Sequence, residues 1–182
     1  DCGMRDCGMR NRGMRNRGMR RPSQHPGPER GRRWWPWLVV LVLTACGDGG
    51  GDVRYALHGG GELTLESLRG RWVFINYWAE WCAPCREEIP ELNAFAAAHP
   101  DRVRVLSVNF DGSAGQPLDA QIEALGIAFP TLLADPRTAL GVPPAQGLPE
   151  TLVIDPQGRL QRVLPGPQTR ATLEAEMAAA RR

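Results

Sequence analysis

The run RWVFINYW at 71–78 is apolar at nearly every position and rich in aromatic and β-branched residues, which predicts a strand buried on both faces. Directly after it, residues 83–98 carry apolar groups at Ile89, Leu92, Phe95 and Ala96, with Arg86, Glu87 and Glu91 between them. That is the 3.6-residue period of an amphipathic helix. VRVLSVN at 103–109 predicts a second strand and 117–125 a second helix. Phe129-Pro130 leads into a short strand at 131–134, and Asp135-Pro136 opens a brief helical turn through 140. TLVID at 151–155 and RLQRVL at 159–164 flank Pro156-Gln157-Gly158, a hairpin with turn chemistry at its tip. From Thr169, read as an N-cap, Leu173, Met177 and Ala180 recur at i, i+4 and i+7 and predict a helix that docks by one narrow face. Strands and helices in alternation before a terminal hairpin and helix predict an α/β fold with helices on both faces of the sheet.

Upstream the patterning is different. Residues 1–18 belong to a pentapeptide repeat, DCGMR twice and then NRGMR twice, with no apolar face. The unit is too short to stack into a solenoid, so disorder is expected. Cys2 and Cys7 sit at the repeat period, which explains their spacing without a metal or disulfide role, and the repeat is read as upstream sequence with Met19 as the start. Residues 19–45 then run from an arginine-rich stretch into WWPWLVVLVLTA. Twelve residues are too few to span a bilayer, which takes about 20, but suit a secretory signal peptide. Leu43-Thr44-Ala45-Cys46 resembles a bacterial lipobox, so Cys46 is the expected lipidation site; ordinary cleavage near Ala45 is the alternative. Residues 46–52 read as a glycine-rich tether, and 53–182 as one folded domain.

Charge sharpens this division. All 22 basic residues are arginine; residues 1–45 hold 10 of them against 3 acids, whereas 46–182 hold 12 against 17. The folded part is therefore acidic, which excludes a sequence-independent nucleic-acid binder, since such binding relies on neutralising phosphates.

Candidate chemistry lies where the first strand meets the first helix. Cys82-Ala83-Pro84-Cys85 puts one thiol at the positive end of the helix dipole, which lowers a thiol pKa from about 8.5 to as little as 3.5–7.5. Cys82 is then the nucleophile. Cys85, three residues on, shares the same side of the first turn and can attack a mixed disulfide formed by Cys82. Pro84 suits a first turn, where its missing N–H costs nothing. Three plainer readings compete. A structural disulfide would close too small a loop to stabilise much. A zinc site would need four ligands, and His58 and His99 stand in no ligand spacing, so no metal is expected. Buried inert thiols fit Trp81 and Pro84 less well than an accessible loop does.

Phe74 to Arg86 (FINYWAEWCAPCR) resembles the thioredoxin superfamily, and the wider pattern resembles its TlpA-like branch of bacterial envelope thiol-disulfide oxidoreductases, related to AhpC/TSA proteins. The motifs are GELTLESLRGRW, WCAPCREEIP, FPTL at 129–132 and GLPETLVIDPQGRL at 147–160. The resemblance covers about residues 60–180 and implies a thioredoxin fold around a central mixed sheet. It implies that Pro149 is a cis-proline facing the cysteine pair, against a trans proline opening a strand, with Leu148 offering backbone to an extended substrate beside Trp81 and Pro84. Pro90 matches the family's helix-kinking proline. Asn76 stands where cytosolic thioredoxins carry a buried Asp, and Glu88 takes the place of the glutamate in the branch's WCxPCxxExP pattern. By helix geometry Glu88 lies at the edge of the apolar stripe on the Cys85 side, while Glu87 and Glu91 point away. A solvated helix glutamate is the plainer reading of Glu88. Glu80 and Glu150 are expected at the rim of the site, with plain surface charge as the alternative for either.

The expected function is that of a membrane-tethered periplasmic thiol-disulfide oxidoreductase, a reductase of cysteines in other envelope proteins, monomeric and without a cofactor. The resemblance implies clients such as apocytochromes c or copper-site assembly proteins and a membrane electron-transfer protein as reductant. Ala83-Pro84 does not by itself set the potential, which for such pairs runs from about −270 to about −120 mV. Two rivals are a thiol peroxidase of AhpC/TSA type, suggested by GELTLESLRG, and a copper-delivery module using the two thiolates.

Overall fold

The computed structural model describes residues 53–179. Its elements are β1 (Arg54–Ala56), β2 (Glu62–Thr64), a 3-10 turn (Glu66–Leu68), β3 (Trp72–Trp78), α1 (Ala83–Ala98), β4 (Val103–Asn109), α2 (Gly115–Leu125), β5 (Thr131–Leu132), β6 (Glu150–Ile154), β7 (Leu160–Pro165) and α3 (Arg170–Ala179). The repeat, the signal-peptide and lipobox region, the tether with Cys46, and Ala180 lie outside the described residues.

The five-stranded sheet has the order β5-β4-β3-β6-β7, with β3 parallel to β4 and antiparallel to β6. It is a mixed sheet in a thioredoxin fold, as expected. All seven residues of β3 are buried, and the two faces divide its side chains by parity. Trp72, Phe74 and Trp78 join a core with Ile89, Leu92 and Phe95 of α1, Leu118 of α2 and Leu173 and Met177 of α3. Val73, Ile75 and Tyr77 face a second core with Tyr55, Leu106, Leu132, Val142 and Leu152. All three α-helices contribute to the first core. The second face is covered by the 3-10 turn, the β1–β2 hairpin and the segment around 140, so the helix on that side is a single tight turn.

Local chemistry accounts for the boundaries. The α1 and β4 spans coincide with their expected ranges; α2 starts two residues earlier, at Gly115, and ends at Gly126, whose left-handed backbone (φ 66°) closes it. Thr169 caps α3: its hydroxyl accepts from the Thr172 amide at 3.2 Å, and the Thr172 hydroxyl accepts from the Thr169 amide at 2.9 Å. Residues 136–140 form a single hydrogen-bonded turn, as expected, with Leu140 N–H donating to Pro136 O at 3.0 Å. The strand expected at 131–134 is only two residues long.

The β1–β2 hairpin carries no periodic signal, because Tyr55 is its one buried side chain. It nevertheless covers the β5 edge. His58 N–H donates to Thr131 O and Leu133 N–H to Ala56 O, both at 2.9 Å, which removes an open edge from solvent.

Phe95 of α1 is fully buried and meets Phe74 edge-on at 4.8 Å. Phe95→Ala should destabilise the protein by about 3–5 kcal/mol through cavity formation, read as a lower urea midpoint; a loss below about 1 kcal/mol would mean that this core collapses around the gap.

Candidate active site

The chain leaves β3 at Trp78 and turns through Ala79, Glu80 and Trp81 before α1 begins. Cys82 is the N-cap of α1, with extended backbone, and its sulfur accepts from the Cys85 amide at 3.2 Å. A sulfur in that position already uses one of the orphan N–H groups of a helix start, the contact that favours a thiolate. Cys82 and Cys85 are joined in a disulfide, Cys82 3% exposed and Cys85 fully buried. Pro84 occupies the first turn, and α1 runs on through Pro90. Arg86 clamps the approach loop by donating twice to Glu80 O, at 2.6 and 3.2 Å.

Trp81 is 64% exposed yet held in place. Its indole N–H donates to both Asp111 carboxylate oxygens, at 3.0 and 3.2 Å, and its ring meets half-exposed Phe110 edge-on at 6.4 Å. Asp111 and Phe110 follow β4, and nothing in their local sequence signals this role. On the other side of β3, the register pairs Tyr77 with Glu150 and puts Pro149 at the same sheet end as the disulfide. The Leu148-Pro149 bond is cis. Leu148 packs against the core that contains both cysteines, and Pro149 O accepts from Gly166 N–H at 2.9 Å.

Glu88 is buried, 1% exposed, and so is no solvated surface group. One carboxylate oxygen accepts from Asn76 Nδ2 at 2.6 Å and the other from the Gln168 amide at 2.9 Å. Asn76 also donates to Thr151 Oγ1 at 3.1 Å. The carboxylate thus links the middle of the sheet to the loop before α3. Burial pushes its pKa up to about 7, partly offset by the Gln168 and Asn76 hydrogen bonds, which favour the charged form.

Two other glutamates differ from expectation. Glu91 does not simply point away: its carboxylate accepts from the Arg170 amide at 2.9 Å, the first residue of α3. Glu150 is not a rim charge. It is buried on the Tyr77 face and ion-paired with Arg137. Arg137, itself buried, stacks over the Tyr77 ring at 4.1 Å and donates to Pro143 O at 2.6 Å, while Tyr77 donates to Asp135 at 2.7 Å. Glu80 and Glu87 are exposed. His58 bonds Asp119 at 2.6 Å and His99 bonds Glu174 at 3.0 Å. Among the described residues no helix is long and apolar enough to cross a membrane.

The AhpC/TSA family profile matches residues 51–163. The thiol-disulfide oxidoreductase ResA of Bacillus subtilis is 29% identical over 119 residues, which cover 65% of this chain and 66% of ResA. The thiol:disulfide interchange protein HelX of Rhodobacter capsulatus is 35% identical over 109 residues, 59% of this chain and 60% of HelX. The matched region thus spans just under two thirds of these relatives' own length. Among solved structures, a DsbF homologue from Corynebacterium diphtheriae is similar with a TM-score of 0.61 and 26% identity, covering 70% of this chain and 83% of that one.

Glu88 makes stability depend on pH in a defined direction. Its folded pKa of about 7 lies above the ordinary 4.5, so the folded protein retains a proton that the unfolded chain releases. Its favourable contribution is complete below pH 4.5 and is lost as pH rises to about 7. Relative to Glu88→Gln, the disulfide-intact parent should therefore lose stability across that window, by at most about 1.4 kcal/mol per pH unit. Urea midpoints of both proteins at several pH values check this; parallel profiles would remove Glu88 as the titrating group.

Proposed function

The chain belongs to the AhpC/TSA family, and from that premise we propose that it is a periplasmic thiol-disulfide oxidoreductase that reduces disulfides in envelope proteins. The observation that carries this reading is the Cys82–Cys85 disulfide at the start of α1, with Cys82 Sγ on a helix N-terminal amide.

In the reduced protein, the Cys82 thiolate attacks one sulfur of a client disulfide, whose S–S bond breaks and releases one client thiolate. Cys85 then gives its proton to Glu88 and attacks Cys82 Sγ, expelling the second client thiolate and closing the Cys82–Cys85 disulfide. Two electrons pass to the client, and a dithiol donor at the membrane restores the starting state. Glu88 suits the proton transfer because a group titrating near 7 is an efficient acceptor at neutral pH, an effect worth about 10²–10⁴-fold. Burial of Cys85 raises the need for it, since burial disfavours a thiolate. Trp81 and Pro84 form one wall for the client and the Leu148-Pro149 backbone the other. Lipid on Cys46 holds the domain at the membrane, and the tether lets it reach apocytochromes c or copper-site assembly proteins.

A Cys85→Ser variant should trap a mixed disulfide with a client and Cys82→Ser none; alkylation of the reduced protein at mildly acidic pH should label Cys82 first, and labelling of Cys85 first would reverse the roles. Glu88→Gln should leave the first attack nearly unchanged and slow the second, so that stopped-flow traces show mixed disulfide accumulating. Resolution at the parent rate would make Glu88 purely structural. Turnover of hydrogen peroxide faster than of protein disulfides would favour a thiol peroxidase instead. Mass spectrometry of the native N-terminus should find a lipidated Cys46, and an unmodified residue there would rule out the anchor.

A further inference from the structure

Residues 143–148 (PPAQGL) lead directly to Pro149, and among the described residues none of the six makes a backbone-to-backbone hydrogen bond. The loop is instead held from beneath. Arg137, 4% exposed, donates through Nη1 to Pro143 O at the loop's start and pairs through Nη2 with Glu150 just past its end. Its guanidinium lies over the Tyr77 ring, and its amide donates to Asp135 Oδ1 at 2.9 Å, so Arg137 is itself fixed to β3 and to the preceding turn. A planar guanidinium holds two of its N–H groups in a fixed fork toward both contacts; an ammonium has donors but not that fixed geometry.

We propose that Arg137 is a positioning residue for substrate: by joining Pro143 to Glu150 it sets the place of the Leu148 main chain, on which an extended client polypeptide docks beside the disulfide. This rests on the oxidoreductase reading and adds a residue on the opposite face of β3 from the cysteines. Arg137 touches neither sulfur, so it governs how a peptide binds and leaves the reactivity of Cys82 unaltered.

The test uses Arg137→Met/Glu150→Gln, which removes both charges together and so leaves no unpaired buried ion, with Arg137→Lys as a milder second variant. Each is assayed as a reductase, recycled by dithiothreitol, on a disulfide-containing peptide and on hydroxyethyl disulfide, which has no peptide backbone. The peptide's KM should rise about tenfold with kcat within about twofold, while the rate on hydroxyethyl disulfide stays at the parent value. An unchanged peptide KM in both variants, or equal losses on the two substrates, overturns the proposal. A parent inactive on both substrates would refute the oxidoreductase reading instead. The loop claim is then judged by backbone NMR order parameters of Gln146, Gly147 and Leu148: a fall from about 0.85 toward 0.6 in the variants supports it, and unchanged values refute it.

Discussion

Burial of β3 on both faces is the constraint from which the rest of the structure follows. A strand in mid-sheet with seven buried residues cannot slide, because a shift of one residue would exchange its two side-chain sets between unlike environments. Every part of the site hangs from it. Its C-terminal end launches the turn to Cys82, Asn76 reaches Glu88 on the helix face, and Tyr77 supports Arg137 on the other.

The two faces handle buried polarity differently. On the helix face, residues paired in register form a polar row across four strands, Thr151, Asn76, Ser107 and Thr131. Asn76 donates to Thr151 and Glu88, Ser107 bonds Thr131 at 2.8 Å, and Asn76 Oδ1 is left unpartnered. Such a row in an apolar core costs free energy that packing elsewhere must offset, and it is tolerated where it holds a titratable group near the chemistry. On the other face a buried carboxylate has a buried cation as its partner. Arg137 and Glu150 neutralise each other, and Asp135 both accepts from Tyr77 and, with burial, holds that hydroxyl's pKa above its usual value. One face thus carries a buried carboxylate held by neutral hydrogen-bond donors, and the other a buried ion pair.

Much of this was legible in the chain. Periodicity is a local property, so the spans of β3, α1, β4, the closing hairpin and α3 could be read within a residue or two, and the CxxC fell at the strand-to-helix junction without reference to any contact. Helix spacing put Glu88 at the edge of the apolar stripe of α1 and left a solvated side chain open; the fold buries it. The tertiary structure decided what surrounds each of these groups. Glu88 is shared by Asn76, twelve residues before it, and Gln168, eighty residues after it; Glu91 caps a helix it does not belong to; Glu150 meets Arg137 beneath a loop. The β1–β2 hairpin and the gathering of three helices onto one face are of the same kind. A side chain's type and spacing say which way it points from its own element, whereas its partner depends on which distant segment the closing of the sheet brings opposite. That closure belongs to the whole chain, and no window of sequence contains it.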